Sequence, residues 1–354
     1  MSQPTRVVVA IGGNALFEPE GGNNIDPSKL EAIARQLATL VKMGFLPIIT
    51  FGNGPQVGNH LDMVECYTLP PKWPIGLDCC VAWTQAEIGY ALTKAMVNEL
   101  KKLGVSPLPG LVEINTTVLV DPDDNAFLLP TKPIGNFYTQ GAAEALAAEK
   151  GWIIKSDSNR GWRRVVPSPY PHQVLEIEAI KTLVESGQIV CCGGGGGIPV
   201  IMEDGELRGV EAVIDKDFTA CLIARCIGAE QVVICTAVEQ LYINFGTADE
   251  AALDTIDAGQ ARQYLNEGQF PPGSMGPKVQ ALTEFVEHGG QVAMITSLQN
   301  LVLAVQGKAG TRITAAAKPP RADASAPAQT GQEPACPPSA IQNIVEPSGD
   351  SGAA

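Results

Sequence analysis

Val7-Val8-Val9-Ala10-Ile11-Gly12-Gly13-Asn14 runs an apolar stretch straight into a glycine pair. Short apolar runs recur at Leu46–Phe51, Gln188–Cys192, Gln231–Val238 and Gln291–Leu298, each with a candidate helix downstream. Continuous runs of this length suit strands buried on both faces, as in a parallel sheet covered by helices on either side. The helices keep their own period. Between Asp26 and Gly44, Leu30, Ile33, Leu37, Leu40 and Val41 recur at helical spacing, with Asp26 as N-cap, Pro27 in the first turn and Gly44 as the stop. A second helix is expected from about Thr84 to Leu103, with Ile88, Leu92, Met96, Leu100 and Leu103 on one face. Others are expected after Lys216 and Lys278. The fold class is therefore α/β, a three-layer αβα sandwich around a mainly parallel sheet.

The chain has 354 residues and a formal net charge of −14, from 24 Lys+Arg against 38 Asp+Glu. That acidity argues against nucleic-acid or anionic-membrane partners, which need a basic face, while leaving room for a local cationic pocket. No apolar run is long enough for a membrane-spanning helix, and the N-terminus is too brief for a signal peptide before its first strand. The 9 cysteines and 3 histidines have neither disulfide-framework nor zinc spacing, so the thiols are expected to be buried and reduced in a cytoplasmic protein. Residues 1–317 read as one domain, with a protruding excursion from about 116 to 166. Residues 318–354 are rich in Pro and Ala without an aromatic residue and read as a disordered tail.

The glycines fall at one place in the pattern. Gly12-Gly13-Asn14 follows the first strand, Gly52-Asn53-Gly54-Pro55-Gln56 the second, and Gly193-Gly194-Gly195-Gly196-Gly197 the third. Open α/β sheets bind ligands at the carboxyl ends of their strands, where glycine lets backbone N–H groups approach an anion. Neither GxGxxG nor GxxxxGK[ST] is present, which disfavours a Rossmann dehydrogenase and a P-loop NTPase, and no GxSxG elbow appears. Three lysines stand out by context. Lys132 lies between Pro130 and Pro133, Lys216 between Asp215 and Asp217 at a helix start, and Lys278 closes Gly273-Ser274-Met275-Gly276-Pro277 at another. Ammonium groups, helix N-termini and glycine loops are what phosphoryl transfer needs, since the protein's task there is charge neutralisation and alignment.

Ala10–Leu16, Gly52–Gly58, Pro130-Thr131-Lys132-Pro133-Ile134-Gly135, Val166-Pro167-Ser168-Pro169, Gly193–Pro199, Gly209–Asp217 and Gly273–Lys278, taken in order, resemble carbamate kinase, a member of the amino-acid-kinase fold. The resemblance runs from about Val7 to Ile313. It implies reversible phosphoryl transfer between ATP and carbamate, giving ADP and carbamoyl phosphate with Mg2+, often at the end of arginine breakdown, by a cytoplasmic homodimer. By motif it implies Lys132, Lys216, Lys278 and Asp217 as the catalytic set, with Asp217 holding lysines in place. Gly12, Gly13, Asn14, Gly52, Asn53, Gly54 and Gln56 would take the carbamate end. Gly193, Gly194, Gly195, Gly196 and Asp215, with Lys216 and Lys278, would take the nucleotide side, residues 188–317. No direct metal ligand is assigned, and adenine is expected near Thr236–Val238.

Two details bear on the resemblance. Other kinases of this fold typically carry a lysine two residues before the first glycine pair, where this chain has Ala10, and Lys132 is a substitute cation. Phe51 stands where many carbamate kinases have a small or polar residue, and is expected to pack within its strand. Two other readings fit the same residues: a kinase of another small carboxylate, and a catalytically silent carbamoyl-phosphate-binding homologue. Loss of a key lysine would mark the second, and none is lost.

Overall fold

Burial on both faces is what makes the central strands. In β1 (Thr5–Ile11), every side chain from Val7 to Ile11 is buried, and β2 (Phe45–Phe51) is buried from Leu46 onward. The computed structural model describes residues 4–16, 25–66, 75–157 and 161–315, so the expected tail lies outside the described residues. β1 pairs in parallel with β2 on one side and with β12 (Gln231–Thr236) on the other. Beyond them stand β9 (Ile189–Cys191) and β3 (Leu111–Glu113) at one edge, and β16 (Val292–Ser297), β17 (Thr311–Thr314) and β15 (Thr255–Asp257) at the other. The sheet has eight strands, and only the β16–β17 pairing within it is antiparallel.

Helices cover both faces. α1 (Pro27–Lys42) packs on α3 (Leu77–Lys102), and α6 (Lys216–Cys226) packs on α8 (Met275–Glu287). α1 starts as its sequence dictates: the Asp26 carboxylate accepts from the Ser28 and Lys29 amides at 2.8 and 3.3 Å. α3 begins at Leu77, seven residues ahead of the expected Thr84. Leu77, Cys80, Val81 and Thr84 already follow the i, i+3, i+4, i+7 spacing of a buried stripe and carry the helix back to Gly76.

The stretch from 116 to 166 divides in two. β4 (Thr117–Val120) pairs in parallel with β10 (Ile198–Glu203) and antiparallel with β8 (Pro171–Val174), in a second sheet completed by β11 (Glu206–Gly209). Its alternation is clear, with Val118 and Val120 buried between more exposed neighbours. A separate lobe is formed by β5 (Lys132–Tyr138), α4 (Gln140–Lys150), β6 (Ile153–Ser156) and β7 (Trp162–Val166), its strands ordered β5-β7-β6. The lobe sits on α2 (Gly54–Glu65), the helix that follows β2.

Seven cysteines among the described residues are free thiols, five of them buried, while Cys79 is half-buried and Cys66 is exposed, against the expectation of burial. Burial pushes Cys80, Cys192 and Cys235 up to about 12, which suits inert core packing. Phe51 is buried in β2, and its ring carbons stand 2.6 Å from where a Cβ on Gly194 would lie. Phe51→Ala is expected to lower the unfolding free energy by about 3–5 kcal/mol through the cavity it leaves. Urea unfolding checks this, and a loss below about 1 kcal/mol would contradict the packing.

Candidate active site

The first turn of α6 is the centre of the site. Asp215 caps this helix, its Oδ1 accepting from the Asp217 amide at 3.0 Å. Lys216 and Asp217 are therefore held rigidly at the helix start, where the backbone dipole is positive. The Asp217 carboxylate is wholly buried. Lys216 Nζ donates to its Oδ1, and Lys278 Nζ, from the first turn of α8, donates to Oδ2 at 2.7 Å. Lys132 comes from the lobe, and its Nζ donates to Asp215 Oδ2 at 2.9 Å. The structure thus brings the three lysines of the sequence reading into one cluster. Three ammonium groups face two carboxylates, so the cluster keeps net positive charge for an anion.

Each group's proton affinity follows from its surroundings. Burial works against ionisation of Asp215, but Lys132, Lys216 and Lys278 together hold its carboxyl well below the usual range. Burial lowers Lys216 from its ordinary value, against the pull of Asp217. Burial also works against Lys278, but Asp217 and Asp215 outweigh it and raise this lysine.

The glycine corners meet the cluster from the sheet. The Gly12 amide donates to Cys235 O at 3.0 Å and the Gly52 amide to Ile11 O at 2.9 Å, so the ends of β1, β2 and β12 are tied side by side. A Cβ on Gly52 would lie 2.8 Å from the Gly13 amide nitrogen and 3.6 Å from Lys216 Cδ, so only glycine lets these segments close up. Asn14 lies in the short turn Gly13–Ala15. Gly54 opens α2. Asn53 and Gln56 are buried, and Asn53 Nδ2 donates to Thr84 Oγ1 at 2.6 Å.

The third glycine run lies where the β2 corner meets α6, as buried packing. A Cβ on Gly195 would stand 2.2 Å from Asn53 Nδ2, and one on Gly196 2.2 Å from Ile214 O. The Gly193 amide donates to Thr116 Oγ1 and the Gly194 carbonyl accepts from Gln85 Nε2 at 3.0 Å. Gly196 O accepts from Thr219 Oγ1 at 2.8 Å. The expected adenine end, Thr236, closes β12 beside Gly12.

Sequence reasoning passed over Thr84 and Gln85, whose side chains hold two of the three corners. Gln85 Nε2 also donates to Thr116 O at 3.2 Å, and Gln85 Oε1 accepts from the Thr116 amide at 2.6 Å. The available signal was two adjacent polar residues at the head of an apolar helical stripe.

Residues 5–297 match the model of the amino acid kinase family. The carbamate kinase of Pyrococcus furiosus is 45% identical over 313 residues, covering 87% of this chain and 98% of its own length. Carbamate kinase 2 of Enterococcus faecalis is 41% identical over 308 residues, covering 87% of this chain and 98% of its own. The chain belongs to the carbamate kinase family. A carbamate kinase of Giardia lamblia, solved with bound AMP-PNP, superposes with a TM-score of 0.80 at 39% identity, covering 89% of this chain and all of its own. As a carbamate kinase this chain is a phosphotransferase, and its fold is that of the amino acid kinases.

The Asp215 shift sets a pH dependence. A carboxyl held below its unfolded value of about 4 stabilises the fold above that pH, and the contribution disappears as pH falls through the folded value. Asp215→Asn is expected to lower the urea midpoint at pH 7, with the gap to the parent narrowing below about pH 4. A gap that is constant from pH 7 to pH 3 would contradict the assignment.

Proposed function

We propose that the lysine–aspartate cluster at the start of α6 carries reversible transfer of a phosphoryl group between ATP and carbamate. The supporting observation is the convergence of Lys132, Lys216 and Lys278 on Asp215 and Asp217 beside two glycine corners. A carbamate oxygen attacks the γ-phosphorus, the bond to the ADP oxygen breaks, and carbamoyl phosphate and ADP result. In reverse, a β-phosphate oxygen of ADP attacks the phosphorus of carbamoyl phosphate and carbamate leaves. Both nucleophiles are already anionic, so no general base is required, and the work falls to cations and alignment. Lys216 and Lys278 neutralise the nucleotide phosphates and the migrating group, with Lys132 facing them from the lobe. Gly12, Gly13, Asn14 and the Gly52–Gly54 corner present backbone N–H groups to the carbamate end, with Gln56 behind them. Gly193 to Gly196 hold the two ends together.

The donor set fits Mg2+ arriving with the nucleotide. Both aspartates already accept from lysines, which leaves the nucleotide phosphates as the ion's main anionic partners. When bound, the ion would neutralise phosphate charge, with Asp215 as its neighbouring carboxylate. We place the reaction in the cytoplasm, at the ATP-yielding end of arginine breakdown, on the strength of family membership. Among the described residues no helix is long and apolar enough to cross a membrane.

We further propose a homodimer through the outer face of α3, where Trp83 and Tyr90 are exposed two turns apart and Met63 of α2 is exposed as well. Light scattering is expected to read twice the chain mass, and a monomer at micromolar concentration would count against this face.

Coupled assay of ATP formation from ADP and carbamoyl phosphate tests the chemistry directly. Lys216→Ala is expected to lower kcat by more than about a hundredfold, the scale of losing one electrostatic stabiliser. Activity within about threefold of the parent, on that same scale, would rule out the role.

A further inference from the structure

Lys132 reaches the cluster from a separate lobe, so its aim depends on how that lobe is seated. The seat is α2, whose first turn begins at the Gly52–Gly54 corner. Val57 of α2 packs with Ile134 and Val166 of the lobe in a satellite core shared with Leu77, Val81 and Val213. Asn136 donates to Asp62, and Lys150 pairs with Glu65, along the same contact.

At the middle of this contact two glycines touch. A Cβ on Gly58 would stand 2.5 Å from Gly135 Cα and 3.0 Å from its nitrogen. Glycine inside a helix is worse than alanine by about 1 kcal/mol, so local helix preference does not account for Gly58. Gly135 has φ +71, a conformation that favours glycine. Its carbonyl accepts from Arg163 at both Nη2 (2.8 Å) and Nε (3.1 Å). Arg163 also bonds Asp157 and lies over the Phe137 ring. This grip fixes the β5 backbone shortly after Lys132, at the strand's irregularity between Ile134 and Tyr138.

We propose that Gly58, Gly135 and Arg163 are positioning residues that set the reach of Lys132 to the migrating phosphoryl group. The proposal rests on the role given to Lys132 under the function above. α2 starts at the acceptor corner and carries β5 at glycine–glycine distance, so the spacing between that corner and Lys132 is set at Gly58. A methyl there forces α2 and β5 apart and carries Lys132 away from Asp215. A displacement on the order of 1 Å costs about a hundredfold in rate.

Gly58→Ala, in the full chain, with and without Lys132→Ala, tests this in the ATP-forming assay. The expected result is a kcat lower by about 10- to 100-fold with KM for ADP within about twofold of the parent. In the Lys132→Ala background, Gly58→Ala is expected to cost less than about twofold more, because the group it aims is gone. An equal loss in both backgrounds, or a parental kcat, overturns the proposal. Lys132→Ala that leaves kcat within about threefold overturns the lysine's role, and the positioning role with it, and that single variant identifies the cause. Circular dichroism and the thermal midpoint establish that each variant is folded. Should Gly58→Ala not fold, Arg163→Lys removes the two-pronged grip on Gly135 and must show the same non-additivity with Lys132→Ala. An additive loss there overturns the proposal equally.

Discussion

Asp217 is wholly enclosed by protein, with one lysine on each carboxylate oxygen. A charge in that position is tolerable only while its partners stay in place, and the partners come from different helices. Lys216 belongs to the same turn of α6, whereas Lys278 arrives from α8, so one carboxylate ties the two helices together at their N-terminal ends. Asp215 extends the tie to the lobe through Lys132, while its other oxygen caps α6. The relative positions of three cations are thereby set by two anchored carboxylates rather than by flexible side chains. Under the proposed function, such preorganisation lets fixed charges stabilise a migrating phosphoryl group without rearrangement during the reaction.

The same requirement explains the backbone around the cluster. The ends of β1, β2 and β12 lie side by side and are hydrogen-bonded across, which leaves no space for a side chain at Gly52, where Gly13 and Lys216 approach. Beneath them, Thr84 and Gln85 of α3 hold the β2 corner and the Gly193–Gly197 run from the opposite helical layer. Net charge speaks to a different level. A chain with a formal charge of −14 repels polyanions at long range, yet concentrates positive charge at one partly buried point suited to small phosphorylated ligands.

Much of this was legible in the residues themselves. Runs buried on both faces, such as Val7–Ile11, leave no polar alternation to suggest any other layer order, and Asp26-Pro27 marks a helix start from local geometry alone. Three things were less visible. The early start of α3 hid in a run where cysteine and tryptophan interrupt an aliphatic pattern, and β4 hid because an alternation of only four residues is not told from a loop by sequence pattern alone. Gln85 drew no notice since a buried glutamine is distinguished from an exposed one only by the carbonyls and amides around it.

Local sequence therefore determined the strand-and-helix rhythm, the glycine corners and the identity of the lysines, because each depends on neighbours a few positions away along the chain. Tertiary structure alone decided which lysine meets which aspartate and which glycine run is buried packing. It also decided that Gly58 and Gly135 touch, with Arg163 gripping the second. Those facts depend on distances between segments far apart in the chain, which are set only when the helices and the lobe close over the sheet and every buried charge must find its partner.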